Sequence, residues 1–72
     1  MSATIALKDG KNIIIANLKS IITHKSDFSD EKITPIEDIN SFEIFDNYNY
    51  TFVGDNIVAL RSSDVLYIEF EK

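Results

Sequence analysis

Cysteine is missing from this 72-residue chain, and so is tryptophan. Without Cys there is neither a disulfide staple nor a thiolate metal site. The single histidine, His24, excludes a multi-histidine site within one chain. One proline and two glycines leave no material for a long flexible linker. Gly10 and Gly54 stand far apart, so there is no glycine-rich phosphate loop and no G-x-S-x-G nucleophile elbow. The longest apolar run, Ile13-Ile14-Ile15-Ala16, falls well short of the roughly 20 residues a membrane-spanning helix needs. Met1 to Lys8 holds no apolar stretch of signal-peptide length. The expectation is a cytoplasmic protein with no membrane partner.

What remains is rich in β-branched side chains: 12 Ile, 3 Val and 4 Thr. These residues are stiff at χ1 and suit a pleated surface better than a helix. Hydrophobic residues make up 44% and charged residues 26%, which is globular and not disordered composition. At this length the chain is one domain, expected as a single small β domain over residues 1–72. So small a core is marginal unless something adds burial.

The formal net charge of −5 is unevenly spread. Residues 1–25 carry Lys8, Lys11, Lys19 and Lys25 against Asp9, a net of +3. Residues 26–72 carry Lys32, Arg61 and Lys72 against eleven acids, a net of −8. All eight aromatics lie from Phe28 onward.

Local signals divide the chain into short strands. Asp9-Gly10 between two β-rich runs predicts a type I′ hairpin. Asn12 to His24 reads as strand with a bend or bulge near Asn17, and residues 17–23 also fit a helical stripe. Lys25 to Lys32 is polar and reads as a loop. Thr34-Pro35-Ile36-Glu37 has the form of a capping box with Thr34 as N-cap, so a short helical turn is expected over about residues 35–40. Phe42 to Phe45 alternates as a strand, followed by a turn at Asp46-Asn47. Tyr48, Tyr50 and Phe52 share one strand face. Gly54-Asp55-Asn56 marks another tight connection, and Ser62-Ser63-Asp64 a third turn. In the last strand Leu66, Ile68 and Phe70 face one way, and Val65, Tyr67, Glu69 and Glu71 the other. The sum is a mainly β fold: a small, strongly curved antiparallel sheet or SH3-like barrel of five to six short strands with one helical turn.

Chemistry is thinly represented. His24 has no identifiable acid partner in sequence, and the Asp and Asn side chains lack the spacing of a calcium loop. No catalytic residue, metal site or cofactor is expected, and the protein is read as no enzyme. The densest feature is aromatic: Phe42, Phe45, Tyr48, Tyr50 and Phe52 fall within eleven positions. Aromatics beyond what a small core uses are enriched at interfaces. The first functional expectation is therefore a protein-interaction module, including association with itself as a homodimer, through Phe45, Tyr48, Tyr50 and Tyr67. A second is an acidic inhibitor from a mobile element that occupies a basic groove of a partner. Its acids would be Asp27, Asp30, Glu31, Glu37, Asp38, Glu43, Asp46, Glu69 and Glu71. A third is a small barrel binding nucleic acid through the N-terminal lysines, which the overall negative charge disfavours.

Overall fold

The computed structural model describes residues 1–25 and 31–72, together with the backbone but not the side chain of Lys25. Among them are seven strands: β1 (Ser2–Leu7), β2 (Asn12–Ile15), β3 (Ser20–Lys25), β4 (Lys32–Pro35), β5 (Tyr48–Val53), β6 (Ile57–Arg61) and β7 (Val65–Glu71). They form two antiparallel sheets, one ordered β2-β1-β7 and the other β4-β3-β5-β6. The mainly β, antiparallel expectation holds. The strands number seven, and among the described residues the two sheets do not close into a barrel.

Each turn has a local cause. At the first hairpin Gly10 alone has positive φ, +92°, and its N–H donates to the Leu7 carbonyl. The Lys11 N–H donates to the Asp9 carboxylate at 2.9 Å. Type I′ needs positive φ at both central residues, so the connection is instead a turn closed by a left-handed glycine. The expected bend near Asn17 is present. β2 stops at Ile15 and β3 begins at Ser20, with Asn17 at φ 52°. Asn tolerates this conformation better than most residues. The helical alternative for 17–23 is replaced by strand β3.

The helical turn falls at Ile36–Ser41 and is 3-10, not α. Thr34 does not cap it. Thr34 is buried in β4 opposite Ile21, and Pro35 precedes the helix with no side-chain capping bond. Residues 26–30 of the expected polar loop lie outside the described residues, but Lys32 already opens β4. Phe42 to Phe45 is not a strand: the Phe42 N–H closes the 3-10 turn onto Ile39, and the chain then runs on to the Asp46-Asn47 turn.

One core draws on both sheets: Ala3, Ile5 and Val65 from one, Ile21, Tyr50 and Phe52 from the other, with Ile15 and Leu18. Phe42 ties the two together. Its ring meets Tyr50 at 5.5 Å, Phe52 at 6.3 Å and Phe70 at 6.0 Å, all edge-to-face. The final strand departs from simple alternation. β1 pairs Leu7 with Val65 but Ala6 with Tyr67, so Leu66 is the extra residue of a bulge. Val65 is therefore core, while Leu66 is 63% exposed.

Candidate interaction surfaces

The outer faces of the sheets follow from register. In β1, Ala3 and Ile5 point inward, so Ser2, Thr4 and Ala6 lie on the opposite side. Across from them stand Glu71, Glu69 and Tyr67. This face also holds Ile14, opposite Thr4. It is mixed apolar and acidic.

The outer face of the four-stranded sheet differs. One row across it reads Ile33, Ile22, Thr51 and Ala59; the next reads Pro35, Ser20, Val53 and Ile57. None of these eight side chains carries a charge. Ile33 is 62% exposed and Ile57 70%, although both are large β-branched hydrophobes. Among these paired residues charge appears in the third row, where Arg61 follows His24 and Asn49. The Arg61 guanidinium there is 3.6 Å from Asp64.

The aromatic candidates separate. Tyr50 is 1% exposed and belongs to the core, so it is removed from the surface set by burial. Phe45 and Tyr48 are brought together, with ring centroids 5.7 Å apart, and Phe45 is half exposed. Tyr67 is exposed on the outer face of the other sheet. Burial raises the Tyr50 phenol above its ordinary pKa; the Phe45 N–H opposes the rise and Tyr48 adds to it.

The acids are distributed over several elements. Glu69 and Glu71 lie on the outer side of β7, Glu37 and Asp38 on the 3-10 turn, and Glu43 and Asp46 on the segment beyond it. Glu31 is exposed ahead of β4, and Asp27 and Asp30 lie outside the described residues. Of the lysines, Lys8 and Lys11 sit at the first hairpin turn and Lys19 just before β3, all exposed. Among the described residues no three His, Cys, Asp or Glu side chains gather into a metal site. No helix there is long and apolar enough to cross a membrane.

A cleft of about 610 Å³ opens between the first hairpin and β6. Leu7, Ile13, Val58 and Leu60 supply its apolar wall, with Lys8, Asp9, Ser63 and Asp64 also lining it. The volume is in the range of ligand sites.

Sequence reading missed Ile22, Ile33, Val53 and Ile57 as a group. The available signal was phase: Ile57 alternates out of step with Val58 and Leu60, whose face packs on the core. The chain matches no protein-family profile, and it shows no significant similarity to a curated protein or to a solved structure.

Proposed function

We infer that the protein is a small interaction module, not an enzyme, that associates with a second copy of itself through the outer face of its four-stranded sheet. The observation that carries this reading is the pair of adjacent uncharged rows containing Ile22, Ile33, Val53 and Ile57. The molecule as a whole has a net charge of −5, so two copies repel each other. An interface confined to uncharged positions avoids placing like charges opposite one another. The outer face of the three-stranded sheet lacks this property, because it carries Glu69 and Glu71. Two sheets stack face to face at about 10 Å, a geometry these rows of β-branched side chains suit. A small core also gains from burial that a partner supplies.

The test is size-exclusion chromatography with light scattering across a dilution series. The wild type is expected to run as a dimer at micromolar concentration and to dissociate on dilution. The double variant Ile33→Glu with Ile57→Glu is expected to be monomeric throughout with an unchanged circular dichroism spectrum, since both residues are exposed in the monomer. A wild type that stays monomeric up to about 1 mM ends the self-association reading. Dissociation by Phe45→Ser or Tyr67→Ser, with the isoleucine variant still dimeric, moves the interface to the aromatics.

A further inference from the structure

A different part of the surface carries a second kind of recognition. The two sheets leave four outer strands, β2, β7, β4 and β6, each paired on one side only among the described residues. An unpaired edge presents backbone N–H and C=O groups to any extended chain, and proteins blunt such edges with charge or proline. β4 has Lys32 and Pro35, and β7 has Glu69 and Glu71. β2, from Asn12 to Ile15, has neither charge nor proline, and β6 has no proline and a single charge, Arg61 at its last position. Ile13 of β2 and the uncharged stretch Val58–Leu60 of β6 line the same 610 Å³ cleft.

We propose that this cleft binds an extended, uncharged peptide segment of a partner protein, which pairs with the free edge of β6 and inserts alternate apolar side chains. The inward-facing Val58 and Leu60 on one wall and Leu7 and Ile13 on the other set the apolar period of two that such a segment must match. The charge around the cleft fixes the character of the segment's middle. Lys8 is followed at once by Asp9, and Asp64 is offset by Arg61 at 3.6 Å. The walls therefore attract neither sign strongly, and a charged side chain directed inward would lose water without gaining a partner. The site differs from the outer sheet face: Val58 and Leu60 point to the opposite side of β6 from Ile57 and Ala59, and of the eight outer-face residues Ala59 alone also lines the cleft.

The test uses the full ¹⁵N-labelled chain and a synthetic peptide, Val-Thr-Val-Thr-Val between terminal lysines, acetylated and amidated. A second peptide is identical except that its five central amides are N-methylated, which removes their donors and keeps the charge. The first peptide is expected to shift amide resonances of Ile57–Arg61 and of the first hairpin. The methylated peptide is expected to bind at least about tenfold more weakly, the equivalent of one to three net hydrogen bonds. Equal binding of the two peptides would show an apolar pocket without strand pairing and would overturn the proposal. Shifts centred on Ile22, Ile33 and Val53 would place the peptide on the outer sheet face, with the same consequence. No binding at millimolar peptide also refutes it, and neither peptide result bears on the dimer measurement.

Discussion

The Tyr50 hydroxyl accepts a 2.7 Å hydrogen bond from the Phe45 N–H and lies 3.4 Å from the Glu43 carbonyl, to which it donates. A side chain on the middle of β5 thus anchors the segment that follows the 3-10 turn. Among the described residues that segment has no strand partner, and the phenol takes the place of a backbone ladder. Tyr50→Phe keeps the ring in contact with Phe42 but leaves the Phe45 donor without its acceptor. A loss of about 1–3 kcal/mol is expected in urea unfolding. Tyr67→Phe, on an exposed phenol, is expected to stay within about 0.5 kcal/mol of wild type. Equal effects of the two substitutions would remove the anchoring role.

Alkaline pH tests the same contact by titration. Burial, the largest influence, raises the Tyr50 pKa above its ordinary value. A phenol in the unfolded chain ionises near pH 10. The folded state thus holds its proton more tightly than the unfolded state. This contribution to stability is complete below about pH 10 and is lost as pH rises through the higher folded value. Lysines titrate in the same range, so the informative quantity is the gap between wild type and Tyr50→Phe. That gap in unfolding free energy is expected to shrink as pH rises above about 10. A constant gap would show that ionisation of Tyr50 does not differ between the two states.

The two glycines fail for different reasons when replaced. A Cβ on Gly54 would stand 2.6 Å from Ile15 Cγ2 and 2.7 Å from the Ala16 carbonyl oxygen. One of these neighbours is backbone, and it also accepts the Asp55 N–H at 2.9 Å, so it does not move freely. Gly54→Ala is expected to cost about 1–3 kcal/mol by crowding. Gly10 has open space around it, but its φ of +92° disfavours any L side chain. Gly10→Ala is expected to lose about 1–2 kcal/mol through backbone strain alone. Gly10→Asn, which tolerates positive φ better, recovers part of that loss. Asparagine at position 54 recovers nothing, because the obstacle there is space. Thermal unfolding of the four variants separates the mechanisms.

The contrast shows which parts of the fold were legible. Both turns were visible as Gly with Asp or Asn, Gly10 because its φ is positive and Gly54 because a Cβ there has no room. Strand β5 was visible because Tyr48, Tyr50 and Phe52 alternate with polar neighbours. β4 escaped because four residues, two of them Lys32 and Pro35, carry too little pattern. Phe42 to Phe45 alternates like a strand, yet four alternating residues suit an extended connector equally well. The uncharged sheet face was harder to read, because phase sends Ile57 outward but does not say which residues stand beside it. Ile33 and Ile57 are 24 positions apart in sequence. They share a face only through the register that joins β4, β3, β5 and β6, and composition does not encode that register.

The bulge in β7 gives the sharpest local test, because it reverses an assignment that alternation alone makes. Strict period two groups Leu66 with Ile68 and Phe70 as core and sends Val65 outward. The observed register pairs Leu7 with Val65 and Ala6 with Tyr67, which inserts Leu66 as an unpaired residue. The cause lies just upstream. The single turn Ser62–Asp64 leads straight into β7, and the Lys8 N–H donates to the Asp64 carbonyl at 3.0 Å. That bond fixes the start of the strand against β1, while Ile68 opposite Ile5 fixes its middle, and the extra residue is absorbed between them. Val65 is 7% exposed and Leu66 63%. Val65→Ala is therefore expected to cost about 1.5–3 kcal/mol, through lost burial and the cavity left behind. Leu66→Ser, although it removes the larger side chain, is expected to change stability by no more than about 0.5 kcal/mol. Denaturant midpoints in the opposite order would show that the strand runs without the bulge.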